Sequence, residues 1–330
     1  MKHPLLLITL GDIAGIGPEI VAKAWPKLFA FARPVVVGDA DAVRAAARLV
    51  HATFKVQPVA DLAEATPDED TVPVLAATDR DLSEVVPGAV SAASGGAAYD
   101  FLVAAIDLTL AGKAAGIVTC PLHKEGLHAA GVPYPGHTEI LAARTRAPAH
   151  AMLLYDAELP LAVAHVTLHM PMKTAMAQVT TTAVLEKIRL LNDILPRLTG
   201  CPARIGVAAL NPHGSDGGLF GDEEEAVIAP AVAAANAEHI FASGPYPADA
   251  IFLPHIRTQF DGIVAMYHDQ GHIAMKLLGG RRAVNVTAGL PIVRTSVAHG
   301  TAYDIAGQGF ADESSLISAV TAAAKLAAGR

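Results

Sequence analysis

The sequence contains few cysteines and few aromatic residues, and it has no long apolar run. Its two cysteines, Cys120 and Cys201, lie far apart, so no disulfide framework is indicated and reduced thiols are expected. No run approaches the roughly 20 apolar residues that a membrane helix needs, and the N-terminus, MKHPLLLITLGD, lacks the pattern of a signal peptide. We therefore expect a cytoplasmic protein that does not span a membrane.

Clusters of basic residues are missing as well. The chain has 24 Lys and Arg against 32 Asp and Glu, a formal net charge of −8, and no block of five or more Lys or Arg. This charge pattern disfavours a nucleic acid or an anionic membrane as the main partner. An anionic small molecule would have to be held by a few local cations.

Apolar residues are abundant and follow two alternating patterns. They make up 52% of the 330 residues, enough for one large or two medium domains. Short apolar runs predict buried strands at 5–10, 35–38, 116–120, 152–155, 161–166, 205–210 and 263–266. Helical patterns occupy 41–50, 97–111, 180–198, 223–235 and 314–326. The alternation predicts an α/β protein with a largely parallel sheet, and no flexible linker divides it.

Three histidines follow predicted strands. His169 follows LAVAHVTL, His213 follows IGVAALNP and His268 follows IVAMY. Three neutral imidazoles would suit a borderline divalent metal such as Zn²⁺ and leave positions open for a substrate. Because the three lie far apart in sequence, no local spacing supports this hypothesis. A hydrogen-bonded loop histidine is the alternative at each position.

Two features point to an anion site. Gly136–Glu139 reads GHTE before a predicted helix, where Thr or His could cap the helix or help to hold an oxyanion or phosphate. Arg294 lies within an apolar run, GLPIVRTSV, and a buried Arg needs a carboxylate or phosphate partner. That partner could be a structural Asp or Glu, or a substrate anion.

Two Gly-rich loops read GDIAGIGPE and AHGTAYDIAGQGFAD. Neither is a GxGxxG fingerprint or a P-loop, and each alone could be a tight turn. Together, with a carboxylate in each, they favour a dinucleotide site, in which Asp304 is a candidate partner for a ribose hydroxyl. No GxSxG elbow is present, which disfavours a serine nucleophile, whereas a Lys Schiff base at Lys276 or Lys124 stays open.

The combination of GDIAGIGPEI, CPLHK, GHTEIL, NPHG, YHDQGHIAMK and NVTAGLPIVRTSVAHGTAYDIAGQG resembles the 4-hydroxythreonine-4-phosphate dehydrogenase family over residues 10–310. Both Gly-rich loops also resemble those of isopropylmalate and isocitrate dehydrogenases. The resemblance implies the three-layer α/β/α, two-domain fold of those enzymes, with residues 1–135 plus 296–330 in one domain and 136–295 in the other. It further implies an active site in the cleft between the domains and a homodimer with shared active sites.

The resemblance also implies a set of site residues. Its metal ligands fall on His169, His213 and His268, for zinc, cobalt or magnesium. Its contacts to a small anionic substrate fall on His137, Thr138, Lys276, Asn285 and Arg294. By analogy with the isopropylmalate enzymes, the cofactor residues are Asp12, Gly15, Gly300, Thr301, Ala302 and Asp304. The cofactor would be NAD, favoured by Asp304, although Arg281 and Arg282 could reach the 2′-phosphate of NADP.

Departures from the family pattern indicate a side branch. Ile13 replaces a usual Pro, Leu168 and Met170 flank His169 in place of the common neighbours, and Ala274 stands where Pro is frequent. We expect a metal- and NAD-dependent dehydrogenase of a secondary alcohol beside a carboxylate, acting on a phosphorylated hydroxy acid, with decarboxylation as a further step left open. The alternatives are a dehydrogenase of a carboxylated cyclohexadiene cis-diol, an isomerase or aldolase, and a non-catalytic metabolite-binding protein.

Two residues are candidates for direct or indirect roles in proton transfer. Lys276, or a water bound to the metal, is expected to handle the proton that leaves the substrate hydroxyl. Asp269, beside His268, is expected to orient an imidazole that binds the metal.

Overall fold

The chain divides into two compact units. The computed structural model describes residues 3–280 and 282–329, so Arg281 lies outside the described residues. One unit comprises Met1–Pro148 and Leu290–Ala328, and the other Ala149–Gly289 with Gly329–Arg330. The boundaries predicted from the sequence were 135/136 and 295/296, whereas these units divide at 148/149 and 289/290. His137, Thr138 and Arg294 therefore lie in the first unit and not in the second. Arg294 belongs there because its strand pairs in register with Gly116–Thr119.

The first unit contains a parallel sheet. Its strands are β1 (Leu5–Thr9), β2 (Arg33–Gly38), β3 (Lys55–Val59), β4 (Thr71–Ala76), β5 (Gly116–Thr119) and β12 (Val293–Val297). Their order is β3-β4-β2-β1-β5-β12, and every neighbouring pair is parallel. The central strands are continuous apolar runs that are buried on both faces, as parallel strands require.

Helices cover both faces of this sheet. They are α1 (Gly17–Leu28), α2 (Ala40–Leu49), α3 (Ala92–Leu110), α4 (Lys124–Ala129), α5 (His137–Thr145) and α12 (Ser314–Ala328). Helix α3 packs on β1, β2 and β5 together with α4 and α5, whereas α12 packs on β1, β5 and β12 together with α1. Two helix groups over the same strands form the predicted three layers.

The second unit has a mixed sheet. Its strands are β6 (Ala151–Asp156), β7 (Leu161–His165), β8 (Ile205–Ala208), β9 (Ala242–Tyr246), β10 (Gly262–Ala265) and β11 (Val284–Ala288). Their order is β11-β6-β7-β10-β8-β9. The β6 strand is antiparallel to both β7 and β11, and the pairs from β7 to β9 are parallel.

Helices α7 and α11 contact the central strands of this second sheet. The helices of the unit are α6 (Met172–Gln178), α7 (Thr181–Thr199), α8 (Ala229–Ala237), α9 (Ala248–Ile251), α10 (Pro254–Arg257) and α11 (His268–Gly279). Both α7 and α11 contact β7 and β10, and α7 also packs on α8. Within the described residues of the two units, no helix is long and apolar enough to cross a membrane. The predicted α/β class with layered helices is confirmed.

The carboxyl ends of β7, β10 and β8 lie side by side in the second unit. These strands are adjacent and parallel, with Ala265 paired with His165 and Val264 with Val207. Parallel neighbours end at the same edge of a sheet, so the segments that follow them leave from one place. Those segments carry the three histidines that the sequence analysis selected.

The segment after β8 is a tight loop tied to one buried carboxylate. Its residues Pro212–Asp216 form a short 3₁₀ helix in which His213, Ser215 and others adopt left-handed backbone angles. Glu224, in the π-helical segment Glu224–Ile228, accepts hydrogen bonds from the backbone N–H groups of Leu210 and Asn211 and from the Asn211 side chain. Burial would raise the pKa of the Glu224 carboxyl, but these hydrogen bonds outweigh it and hold the pKa below its ordinary value.

We predict that Glu224→Gln destabilises the protein by about 1–3 kcal/mol near neutral pH, because buried donors lose a charged acceptor. A depressed folded-state pKa stabilises the protein fully above the ordinary carboxyl pKa of about 4.3, and this stabilisation disappears as the pH falls through the folded-state value. Urea unfolding at neutral and acid pH should therefore show a difference from wild type that shrinks in acid. Glu225→Gln, at an exposed neighbour, is the control and should be neutral. Equal effects of the two variants would contradict the anchor role of Glu224.

Candidate active site

His268 begins helix α11 directly after strand β10, with Tyr267 as the N-cap. Its Nδ1 atom lies 2.6 Å from Oδ1 of Asp269. A carboxylate only accepts, so the proton sits on Nδ1 of His268 and Nε2 keeps its lone pair. Such a carboxylate–histidine pair is the arrangement that orients imidazole ligands of metals. The geometry fits the expected role of Asp269.

His169 lies beside His268, with the two ring centroids 5.6 Å apart. It follows β7 by four residues and its side chain is exposed. The two imidazoles lie on the segments that follow two adjacent parallel strands.

His213 has the same electronic arrangement but sits on the loop after β8. Its Nδ1 atom lies 3.2 Å from Oδ2 of Asp216, so Nε2 again keeps its lone pair. The side chain is 66% exposed. Over residues 3–280 and 282–329, no three His, Cys, Asp or Glu side chains already stand in the arrangement of a metal site. The donor chemistry of the three histidines thus fits a metal, while their side chains are not assembled around one point.

Two further histidines, His165 and His272, lie behind this pair and were not selected from the sequence. His165 ends β7 and His272 lies one turn beyond His268 in α11, and both are buried. Nδ1 of His272 is 3.1 Å from Nε2 of His165, and the His272 ring stacks on His268 at 3.8 Å between centroids. Burial and the neighbouring His272 lower the pKa of His165 to about 3, and burial and His268 lower the pKa of His272 to about 4. Only the HDQGH spacing could have indicated that His272 shares a helix face with His268.

The predicted substrate residues of the second unit are Lys276 and Asn285. Lys276 is exposed, one turn beyond His272 on α11, and its charge contributes to the lowered pKa of His272 after burial and His268. Asn285 lies in β11, opposite Leu154 of β6, and is partly buried. Lys276 therefore belongs to the same helix face as His268 and His272.

The other predicted substrate residues form a group in the first unit. Arg294, in β12, is 3% exposed and donates to the Thr119 hydroxyl at 2.7 Å. His137 and Thr138 open helix α5, so the positive end of a helix dipole lies at this point. Burial, and then the nearby Arg294, keep the pKa of His137 well below its ordinary value. A buried guanidinium, a helix N-terminus and a neutral imidazole form a site suited to an anion.

The two Gly-rich loops meet in the first unit. Asp12 is completely buried, and its carboxylate accepts from the Ala14 N–H at 3.0 Å and from the Tyr303 hydroxyl at 2.8 Å. A Cβ atom on Gly15 would lie 2.8 Å from the carbonyl oxygen of Thr301, so only glycine permits this contact. Asp12 and Gly15, predicted as cofactor residues, thus join one loop to the other.

The remaining predicted cofactor residues lie on the second loop. Gly300 and Asp304 are exposed, and the space where a Cβ of Gly300 would stand is open. Thr301 is buried under Gly15, and Ala302 adopts a left-handed φ of 46°. The loop therefore presents Gly300 and Asp304 outward and holds Thr301 inward.

Glu19 and Tyr303 are structural residues that the sequence analysis did not select. Glu19 is 3% exposed and accepts from the backbone N–H groups of Gly309 and Ala311. The Tyr303 ring stacks on His123, with centroids 4.7 Å apart, and burial followed by the Asp12 charge raises the pKa of its hydroxyl. The acidic residue of the Gly-Pro-Glu turn was the signal in the sequence that could have indicated Glu19.

Comparisons with known proteins cover almost the whole chain. The family model described as "Pyridoxal phosphate biosynthetic protein PdxA" matches residues 30–323. A 4-hydroxythreonine-4-phosphate dehydrogenase of Beijerinckia indica is 45% identical over 99% of this chain and 96% of its own length. A D-threonate 4-phosphate dehydrogenase of Bordetella bronchiseptica is 42% identical over 99% and 94%.

A solved crystal structure also matches this chain over almost its whole length. The crystal structure of 4-hydroxythreonine-4-phosphate dehydrogenase from Klebsiella pneumoniae is 39% identical, covers 98% of this chain and 99% of its own, and superposes with a TM-score of 0.87. These matches confirm the family resemblance drawn from the motifs. The chain belongs to the PdxA family of pyridoxal phosphate biosynthetic proteins.

Proposed function

We propose that the chain is a metal- and NAD-dependent dehydrogenase that oxidises a secondary alcohol beside a carboxylate in a phosphorylated hydroxy acid. Its relatives are named dehydrogenases, which confirms the broader prediction of an oxidoreductase acting on CH–OH groups. The finer proposal rests on the position of three histidines. His169, His268 and His213 lie on the segments that follow three adjacent parallel strands.

The three histidines would hold the metal through their Nε2 atoms. Asp269 and Asp216 face the Nδ1 atoms of His268 and His213, which leaves Nε2 of each free to donate its lone pair. A divalent ion bound there supplies Lewis acidity, which lowers the pKa of a substrate hydroxyl and polarises the carbonyl that replaces it. Zinc, cobalt and magnesium stay as predicted candidates.

Binding of the substrate anions would be divided between two sets of residues. Arg294, with His137 and Thr138 at the start of α5, supports a phosphate, because a buried guanidinium and helix N–H groups both favour a dianion. Lys276 and Asn285 would bind the carboxylate. The ammonium group of Lys276 has no lone pair, so the proton of the reacting hydroxyl would pass to water, the other predicted acceptor.

NAD would lie along the second Gly-rich loop. The open space at Gly300 and the exposed carboxylate of Asp304 support a ribose contact there, and Thr301 and Ala302 shape the loop. Asp12 and Gly15 would act by fixing this loop. Decarboxylation after oxidation, a homodimer with shared active sites and a cytoplasmic location remain predictions.

We predict that His268→Ala abolishes metal binding and lowers turnover at least about 100-fold, since the loss of a supporting group alone costs 10–100-fold. Metal content by mass spectrometry and NADH formation by absorbance are the two readouts. His255→Ala, at an exposed histidine of α10, is the control and should leave both unchanged. Full metal content and activity in His268→Ala would refute the metal site.

We predict that Arg294→Met raises the KM for the phosphorylated substrate about 10–100-fold, because a charge-assisted contact to the anion is lost. The same change should raise the pKa of His137, since the Arg294 charge lowers it in the wild type. Kinetics and an NMR titration of His137 test the two effects. Arg48→Met, at an exposed cation of the first unit, is the control. An unchanged KM would remove Arg294 from the proposed phosphate site.

A further inference from the structure

His272 is a buried histidine in which one ring nitrogen makes no hydrogen bond within the described residues. Its residue is 8% exposed, and its Nδ1 atom faces both Nε2 of His165 and the carbonyl oxygen of His268, at 3.1 and 3.2 Å. Its Nε2 atom makes no hydrogen bond to the described residues, and this atom is not fully enclosed by the protein. The Nε2 atom is therefore where solvent reaches this side chain.

The neighbours of Nδ1 set the tautomer of His272. A carbonyl oxygen only accepts, so the His268 carbonyl places the proton on Nδ1 of His272. His165 then accepts through its Nε2 atom and holds the ring in place. Because Nδ1 carries the proton of the neutral ring, Nε2 of His272 is an acceptor.

The position of His272 on α11 relates it to the proposed substrate. His268, His272 and Lys276 follow one another at intervals of four residues, slightly more than one turn and about 6 Å along the helix. In the proposed function His268 faces the reacting hydroxyl and Lys276 the carboxylate. The carbon between these two groups, C2 of the substrate, would then face His272.

The surroundings of Nε2 favour a neutral donor over a cationic one. The titratable groups nearest to His272 are His165, His169, His268 and the cation of Lys276. The nearby carboxylate of Asp269 is already paired with His268. An ammonium group at C2 would add a second cation beside Lys276 and compete with it for the C1 carboxylate, whereas a hydroxyl would donate to Nε2 without adding charge.

We propose that His272 is a specificity-determining residue that accepts a hydrogen bond from a C2 hydroxyl of the substrate and disfavours a C2 ammonium. The two substrates in the relatives' names, D-threonate 4-phosphate and 4-hydroxythreonine-4-phosphate, differ at this carbon by a hydroxyl against an amino group. The inference rests on the proposed dehydrogenase function and assigns its substrate class to 2-hydroxy acids.

The test compares both substrates in the wild type and in His272→Leu, His272→Gln and Ile273→Leu. Leucine removes the acceptor, glutamine keeps an acceptor near the position of Nε2, and Ile273 is an exposed neighbour on α11. We expect His272→Leu to lower kcat/KM for the 2-hydroxy substrate about 10–100-fold with little effect on the 2-amino substrate. Glutamine should restore much of the preference, and Ile273→Leu should behave as wild type.

Binding of each substrate without NAD, measured by calorimetry, separates this proposal from the proposed function. A wild type that binds the 2-hydroxy substrate more tightly, and loses that preference in His272→Leu, supports the role of His272 even without turnover, which would refute only the dehydrogenase function. Turnover of both substrates with the same ratio in wild type and His272→Leu would overturn the role of His272 alone. A wild type that neither binds nor oxidises either substrate would overturn both.

Discussion

Gly271 allows helix α11 to pack directly against strand β7. A Cβ atom at this position would overlap Nε2 of His165 and approach Cγ1 of Val163, so any other residue would push the helix away from the sheet. That close contact sets the hydrogen bond between His165 and His272 and the stacking of His272 on His268. The metal, substrate and specificity roles assigned to α11 all depend on this spacing, because they occupy successive turns of one rigid helix.

In the first unit, buried carboxylates perform the corresponding task. Asp12 ties the first Gly-rich loop to Tyr303, and Glu19 ties the start of α1 to Gly309 and Ala311. A buried charge is costly unless it is hydrogen-bonded, and here three of the donors, from Tyr303, Gly309 and Ala311, belong to the second loop. The two loops are therefore held as one framework, from which Gly300 and Asp304 face outward. Each carboxylate oxygen of Asp12 accepts one hydrogen bond within this framework.

The sequence predicted elements where one physical signal was dominant. The apolar runs at 116–120 and 263–266 became β5 and β10, because buried parallel strands carry little else. Strand β3 was not predicted, since Lys55–Val59 mixes polar residues with Pro58 at one edge of the sheet. Helix α3 begins at Ala92 rather than at residue 97, because Ser91 caps it through the Ser94 N–H. The helix expected at 223–235 opens with a π-helical segment, in which Glu224 is hydrogen-bonded to the loop before it.

At the site, strand ends and family motifs selected His169, His213 and His268. The contacts of His165, His272 and Tyr303 join distant segments, which a single sequence does not reveal.

The proposed activity depends on one metal held by histidines from three adjacent strand ends. Anomalous X-ray diffraction from crystals of the cobalt- or zinc-loaded protein tests this most directly. We expect one strong peak, about 2.0–2.1 Å from the Nε2 atoms of His169, His213 and His268. A peak bound by His165 or His272 instead, or no peak at the end of these strands, would rule out the three-histidine metal site.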